Sequence, residues 1–439
     1  MNNPLENIFR IPELRKRVLF TLGMIFVFRL GAHIPTPGIN IEAMTKMMEQ
    51  QSGGILGFLD LFSGGAFRNF TVFALGIMPY ISASIIIQLL TAVIPALEAL
   101  SKEGDAGRKK LTQYTRYLTV GICVIQGFGI TLWLKHVPNI VISYSMGFQI
   151  MTILTLTGGT IFLMWLGEQM TEHGIGNGMS MLIFAGIVAR VPLEVVSMVS
   201  LWRAGTITLF QILIFTVVIV ALTAVAVLSQ QSYRRIPVQY AQRIVGRKVY
   251  RGQSTQLPIK IDYSGVIAVI FSSSIMIIPS YIAKMLERPD QSALMTGIIG
   301  FITTWLSPGH LAYIILYALM IIFFCYFYTA ITFNPNDVAE NLKKHGGFIP
   351  GIRPGQPTAD YINGILNHIT IGGALMVVAI AVIPDFLGKS MSIGWYFGGT
   401  TMLIVVGVAL DTMQQIESHL LMRHYDGFMA SGRIKGRRS

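Results

Sequence analysis

The sequence predicts an all-α protein that crosses a lipid bilayer many times. Of its 439 residues, 53% are hydrophobic and only 12% are charged, whereas soluble globular domains carry about 25% charged residues. The mean hydropathy of the chain is +0.60. Ten stretches are apolar for long enough to cross a bilayer, because a hydrocarbon core about 30 Å thick needs roughly 20 helical residues. These observations predict a polytopic membrane protein.

The ten predicted spans place both chain ends on the same side of the membrane, because their number is even. The spans are Val18–His33, Thr71–Ile94, Tyr117–Leu134, Met151–Leu166, Met179–Val199, Ile207–Ser229, Ser264–Ala283, Leu311–Thr332, Thr370–Phe386 and Trp395–Asp411. Lys and Arg are concentrated on the side of the termini, which the positive-inside rule makes cytoplasmic. Two halves of five spans each imply an inverted repeat, because five is odd.

The stretch from 58 to 95 is unusual among the spans. It opens with the short apolar segment 58–62, followed by Ser63, Gly64 and Gly65, which interrupt helices. The remainder, Thr71–Ile94, is long enough to cross the membrane. We therefore expect a short re-entrant or interfacial helix, a flexible joint and then a full transmembrane helix.

A proline, Pro79, and three polar residues, Ser82, Ser84 and Gln88, interrupt this full span. Ile77, Ile81 and Ile85 share one helix face with Gln88. A stripe that changes from aliphatic to polar is typical of the wall of a cavity with a dry waist, because polar groups at membrane depth face protein or water. Hydrogen bonding of Ser and Gln to a neighbouring helix is an equally good explanation of the polar positions.

Three segments between spans are long and basic. In 229–262, basic residues alternate with Ile, Val and Tyr up to Pro258, which predicts a protruding β-hairpin-like loop. In 333–368, Pro and Gly residues delimit a short helix and turns. Segment 96–116 is a smaller basic loop. Their positive charge has three possible explanations: the positive-inside rule alone, contact with anionic lipid, or docking to an acidic or RNA-rich partner. The length and the alternating pattern of 229–262 favour docking.

Motifs of known catalytic chemistry are missing from the sequence. We find no HExxH, GxSxG, Walker or strand-linked GxGxxG pattern. Cys123 and Cys325 lie in apolar spans without metal-ligand spacing, so we expect small buried hydrophobes there. The GIGNG sequence at 174–178 predicts a tight turn. No catalytic, cofactor-binding or metal-binding residue is therefore predicted, and the protein is not expected to be an enzyme.

Carboxylates are absent from the central stretches of the predicted spans, with Glu168 and Asp411 at span ends. Ion- and proton-coupled transporters usually need a carboxylate inside the membrane. A passive conduit therefore fits better than a secondary transporter of a small solute, which remains the alternative because inverted repeats are common among transporters.

Six long stretches of the sequence form recognisable motifs: FALGIMPYISASIIIQLL (73–90), FLMWLGEQMTEHGIGNGMSMLIFAGIVA (162–189), QSTQLPIKI (253–261), FFCYFYTAITFNPNDVAENLKK (323–344), GFIPGIRPGQPTADYI (347–362) and YFGGTTMLIVV (396–406). They resemble the bacterial SecY family, the large subunit of the Sec protein-conducting channel. The resemblance covers nearly the whole chain. It implies ten transmembrane helices in two inverted five-helix halves, which form a clamshell around an hourglass pore.

The resemblance also implies the gating residues. A pore ring would consist of Ile77, Ile81, Ile183, Ile270 and Ile404. The plug would be 57–67, which comprises Gly57, Phe58, Leu59, Asp60, Leu61, Phe62, Ser63, Gly64, Gly65, Ala66 and Phe67. The polar contacts of a lateral gate would come from Ser84, Gln88, Ser272, Ser273 and Ser274. Without the family pattern, an isoleucine in an apolar span would be read as lipid contact or core packing.

Partners and location follow from the same resemblance. The docking surface for the translating ribosome or the SecA motor would contain Arg234, Arg235, Arg243, Arg247, Lys248, Arg251 and Arg353. The small subunits SecE and SecG would complete the complex, with signal sequences, nascent polypeptides and membrane lipids as further partners. No cofactor is implied. The protein would lie in the bacterial cytoplasmic (inner) membrane with both termini in the cytoplasm.

These expectations divide the chain into six segments. They are a cytoplasmic N-terminal segment (1–17), an N-terminal half with the plug (18–199), a sixth helix (200–228), the docking loop (229–262), the rest of the C-terminal half with loop 333–368 (263–415) and a basic cytoplasmic tail (416–439).

Overall fold

A computed structural model gives the fold of most of the chain. It describes residues 11–50, 55–137, 139–240, 243–245, 248–250, 254–286, 297, 299–301, 304–306, 310–390 and 398–431. The helices in these ranges are α1 (Pro12–Gly31), α2 (Ile41–Gln50), α3 (Ile55–Phe62), α4 (Met78–Val93), α5 (Pro95–Lys102), α6 (Asp105–His136), α7 (Met146–His173), α8 (Gly178–Val188), α9 (Val191–Arg203), α10 (Leu209–Gln231), α11 (Gly265–Leu286), α12 (Leu311–Thr332), α13 (Pro335–Lys344), α14 (Gln356–Ser390) and α15 (Gly399–Ser431). The strands are β1 (Tyr233–Tyr240), β2 (Arg243–Val245), β3 (Lys248–Tyr250), β4 (Ser254–Lys260) and β5 (Gly347–Phe348).

Six helical stretches in the described part of the chain are long and apolar enough to cross a membrane. They are Asp105–Lys135, Met146–His173, Gly178–Arg203, Leu209–Gln231, Leu311–Lys344 and Gln356–Gly388. A seventh crossing results if α4 and α5, bent by 101° at their junction, count as one broken span. The three other predicted spans fall on α1, α11 and α15, so within the described residues helix occupies most of each of the ten predicted spans.

The predicted span Thr71–Ile94 begins later than the sequence suggested. Residues 71–77 form turns, and α4 starts at Met78 with Pro79 in its first turn rather than in its body. A proline is well accommodated there, because backbone N–H groups in the first turn of a helix have no acceptor within the helix, so the N–H that proline lacks is not needed. Upstream, Thr71 forms an isolated antiparallel bridge with Pro35, which gives the 71–77 segment its extended start.

Two further predictions about the first half need correction. The predicted span Met179–Val199 falls within the membrane-length stretch Gly178–Arg203, but this stretch is not one continuous helix, because a turn at Ala189 and Arg190 separates α8 from α9. The expected loop 96–116 is almost entirely helical, since α5 and the first turns of α6 occupy it. A search for apolar stretches locates the part of a helix that lies in the membrane, but it does not show that the helix continues beyond that part as a polar segment.

The structure divides into two compact units. The first comprises 1–199, 280–303 and 404–439, and the second comprises 200–279 and 304–403. In the first unit, α6 packs against α7 and α4. Its buried cluster includes Met44, Phe67 and Phe70, together with Cys123, which therefore serves as the small buried hydrophobe that was predicted.

The second unit contains the predicted hairpin-like loop, which is confirmed. Strand β1 pairs antiparallel with β4 and with β5, and β2 pairs with β3. Side chains alternate between the two faces of a strand, and in β1 Ile236 and Val238 are buried while Pro237 is exposed. The buried face packs on Ile362 and Leu366 of α14. The short helix expected in 333–368 is also confirmed, as α13.

Candidate functional site

The segment 57–67 folds as the end of α3 followed by two tight turns. Gly64 and Gly65 have φ angles of 67° and 89°, which favour glycine. The side chain of Ser63 is 1% exposed, and its hydroxyl donates to Asp60 O at 3.1 Å and accepts from the Phe67 N–H at 3.0 Å. The predicted helix break at 63–65 is confirmed, and its turns are internally hydrogen-bonded, with Ser63 and Gly64 buried.

Asp60 is the charged group of this segment, and it is almost completely buried. Arg190 Nη1 donates to Asp60 Oδ2 at 2.6 Å, and the backbone N–H of Arg68 donates to Oδ1 at 2.7 Å. The side chains of Asp60 and Arg190 are only 3% and 13% exposed. Burial raises the pKa of Asp60 above its ordinary value, and the positive charge of Arg190 opposes that rise.

Two more contacts join the same segment to neighbouring helices of the first unit. Arg29 Nη1, from α1, donates to Gly64 O at 2.9 Å. A Cβ placed on Gly64 would lie 2.7 Å from Gly186 Cα in α8, a separation too short for any side chain. The glycines therefore let the turn lie directly on the α8 backbone. A cavity of about 260 Å³ opens beside these residues, lined by Arg29, Asp60, Arg68 and Arg190 among others.

Sequence reasoning missed most of this polar cluster. Glu194, 8% exposed, lies in α9 with one carboxylate oxygen 3.9 Å from Arg190 Nη2, so the predicted span 179–199 does contain a carboxylate. The available signal was the presence of ionisable residues within apolar stretches, Arg29 in the first span and Glu194 in the fifth. Such residues mark functional sites by default. The pairing of Asp60 with Arg190 could not be read from sequence, because the two residues are 130 positions apart.

The five isoleucines of the predicted pore ring are all buried. Their exposed fractions are 3% for Ile77, 7% for Ile81, 3% for Ile183, 7% for Ile270 and 0% for Ile404. Ile77 is the N-cap of α4, and the Ile81 N–H donates to Ile77 O at 3.0 Å, so these two lie one helical turn apart. Ile183 and Ile404 belong to the same unit, and Ile270 belongs to the second unit.

The residues predicted for a lateral gate bond within their own helices. Ser272 Oγ donates to Ala268 O, while Ser273 Oγ and Ser274 Oγ donate to Ile270 O, at 2.7, 2.9 and 2.7 Å. Gln88 Nε2 donates to Ser84 Oγ at 3.2 Å. The hydroxyls of these serines thus have hydrogen-bond acceptors in the backbone of α11 itself, and this face of the helix carries only small side chains.

The predicted docking residues fall on the sheet of the second unit and next to it. Arg234 and Arg235 are exposed in β1, and Arg353 is exposed in the turn before α14. Arg243 lies in β2 and Lys248 in β3. Arg247 and Arg251 lie outside the described residues. Within the described part of the chain, no group of His, Cys, Asp and Glu residues could hold a metal ion.

Comparison with known proteins identifies the family. The SecY family model matches residues 71–413. The protein translocase subunit SecY of Escherichia coli strain K12 is 45% identical to this chain over 427 residues, which cover 97% of this chain and 96% of that protein. The chain belongs to the SecY family. Its members carry the name protein translocase subunit, and no match supports the alternative of a small-solute transporter.

Solved structures agree with the SecY assignment. A SecY structure, described as showing that the plug domain stabilises the closed translocation channel and maintains a membrane seal, has a TM-score of 0.67 at 18% identity and covers 96% of this chain and 98% of its own. Sec61 in a canine ribosome–channel complex from the endoplasmic reticulum has a TM-score of 0.63 at 16% identity, with the same coverage. The all-α membrane fold of protein-conducting channels is thereby confirmed.

Proposed function

We propose that this SecY-family chain is the pore-forming subunit of a channel that moves unfolded polypeptides across the bacterial inner membrane and releases transmembrane segments sideways into lipid. The observation that supports this most directly is segment 57–67, the last six residues of α3 followed by two turns, which lies buried among the helices of the first unit. It is too short to cross a bilayer. A short segment held inside a membrane domain suits a movable plug, the role described for the plug domain of the related SecY structure.

The proposed gating elements follow the sequence expectations. The buried isoleucines Ile77, Ile81, Ile183, Ile270 and Ile404 form the constriction, and 57–67 closes the channel beside it. Ser84 and Gln88 on α4, with Ser272, Ser273 and Ser274 on α11, line the lateral exit. The N-terminal half ends near 199, and the docking loop 229–262 and the tail 416–439 face the cytoplasm with both termini. We expect the chain itself to need no cofactor and to catalyse no reaction.

Crosslinking of a translocating polypeptide tests the channel assignment. Photoreactive residues placed one at a time along α4, at Ile81 and Ile85, should crosslink a secretory chain stalled halfway through the complex. The same probes at Leu90 and Val93, which are exposed, should crosslink it far less. Equal crosslinking at both sets, or none at the buried positions, would argue against a path along this helix.

The proposed partners are the translating ribosome, the SecA motor and the small subunits SecE and SecG. A ribosome is present in the solved Sec61 complex to which this chain is similar. The basic, exposed surface formed by Arg234, Arg235 and Arg353 has the charge that an RNA-rich or acidic partner requires. Energy for transport would come from the ribosome, from ATP hydrolysis by SecA or from the membrane potential.

Charge reversal on the sheet tests this docking surface. Arg235→Glu together with Arg353→Glu should weaken ribosome and SecA binding at least tenfold and reduce its salt dependence, because fewer counterions are released. Both side chains are exposed, so the hydrophobic cluster beneath the sheet is retained. Affinity is measured at several salt concentrations in detergent-solubilised complex. Lys46→Glu with Arg203→Glu makes the same charge change elsewhere and should have no effect, and normal affinity in the sheet variant would contradict the assignment.

A further inference from the structure

The buried pair of Asp60 and Arg190 is the most unusual polar contact of the first unit. Both oxygens of Asp60 are occupied, one by the Arg190 guanidinium and the other by the Arg68 backbone N–H. Exposed ion pairs contribute little, but breaking a buried one by removing a single partner is strongly unfavourable, because a charge is left without solvent or partner. The pair therefore fixes the position of the segment 57–67.

Arg190 is itself held in place by the helix break. Its carbonyl accepts the N–H of Glu194 at 3.1 Å, so it begins α9 immediately after α8 ends. Its second guanidinium nitrogen lies 3.9 Å from the Glu194 carboxylate. The arginine thus stands between two carboxylates, one on its own helix and one on α3.

An ion pair differs from an apolar contact in its response to water. The attraction of two charges is several-fold stronger in a dry interior than in bulk water, where solvation of each ion replaces it. An apolar contact gains its stability from the exclusion of water and resists wetting. A buried ion pair therefore holds two elements together while the site is dry, and it releases them at low cost once water enters.

We propose that Asp60 and Arg190 form a water-released latch that holds the plug on α9 in the closed channel, with Glu194 as the positioning residue for Arg190. This inference rests on the proposed role of 57–67 as a plug. A translocating chain that wets the cavity beside Arg29, Asp60 and Arg190 weakens the latch, and the plug leaves without any further energy source. Arg29, which donates to Gly64 O, is the second attachment of the same turn.

Neutralising one partner tests the closed side of the latch. Asp60→Asn or Arg190→Gln should raise the open fraction of the resting channel by about 100-fold, because the loss of one partner of a buried ion pair destabilises the closed state by about that factor. Single-channel conductance of the assembled complex in planar bilayers measures it. The modification rate of a cysteine placed at the buried Ala66 reports the plug position independently. Arg190→Lys keeps the positive charge, so its open fraction should remain closer to that of the wild type. This variant also provides the test if a neutral variant fails to assemble.

Replacing the pair by apolar residues tests the release. The triple variant Asp60→Leu, Arg190→Met and Glu194→Gln leaves no buried charge, so its resting channel should be tight. Opening driven by a signal sequence should be at least tenfold slower, because the entry of water does not weaken an apolar contact as it weakens an ion pair. A purely structural ion pair predicts wild-type opening for this variant, and that result would overturn the latch. The exposed pair Arg116 and Glu168, changed to Met and Leu, is the matched control.

Deletion of 57–67 separates this inference from the proposed function. If the deletion leaks ions and the single neutral variants stay as tight as wild type, the plug is correct and the latch is wrong. If the deletion causes no leak, the plug assignment fails, and the latch fails with it.

Discussion

Replacing the five isoleucines of the proposed pore ring together by Ser is expected to make the resting membrane leak ions. Each buried aliphatic side chain contributes about 1.5–3 kcal/mol of preference for a dry environment, so the combined change favours the wet constriction by on the order of 1000-fold or more. A hydrated ion crosses a wet constriction but not a dewetted one. The leak is measured as single-channel conductance without substrate, and it should grow further when 57–67 is also deleted.

Two controls show whether a leak comes from wetting of the constriction, from a change in side-chain shape or from a loss of protein stability. A single Ile→Leu or Ile→Val change at any of the five positions should be nearly silent, because volume-conserving swaps cost little. Serine at three other buried isoleucines, Ile130, Ile140 and Ile236, should lower stability without a leak. An assembled five-fold variant as tight as wild type would mean that these residues do not form the constriction.

Locking the proposed lateral gate by a disulfide is expected to stop both secretion and membrane insertion. Cysteines at Ser84 on α4 and at Ser273 on α11 should form the bond in the closed channel, if their Cα atoms lie within about 7 Å. A covalent link prevents the helices from separating, whereas the weak bonds of small hydroxyl side chains do not. Insertion of a signal sequence into proteoliposomes should fall to background on oxidation and recover on reduction.

Single cysteine variants under the same oxidant are the control for this lock. The native Cys123 and Cys325 are buried, so they do not compete for the bond. Two results would place the gate elsewhere: failure of the two cysteines to crosslink in the resting complex, or normal insertion by the locked protein.

Much of the fold was predictable, because hydrophobic length and period-two alternation are local properties of a sequence. The span Leu311–Thr332 was predicted with the bounds that the structure gives to α12, since its apolar run ends abruptly at both sides. The sheet in 229–262 followed from alternation around a glycine. The helix break at Ala189 and Arg190 was not found, although Pro192 is a local signal of a helix boundary, because the prediction rested on the apolar length of the whole stretch.

The site was predictable only in part, and for a different reason. The burial of Ile77 and Ile81 agrees with the stripe seen on one helix face. The contacts of Asp60 and of Arg29 depend on chain segments that are distant in sequence, and no spacing rule reports such contacts. The serines of α11 suggested contacts between helices, but a hydroxyl inside a helix can bond its own carbonyl four residues back equally well.

Helix α14 runs as one piece of 35 residues from the sheet of the second unit through the predicted span Thr370–Phe386, which is about 50 Å of helix. Its first turns lie in the same hydrophobic cluster as the sheet, through Ile362 and Leu366. Its later turns pack beside α12 and α10. A rod fixed at one end to a sheet acts as a lever, so if the sheet is the docking surface proposed above, a thrust or torque from a partner bound there is transmitted mechanically to α12 and α10.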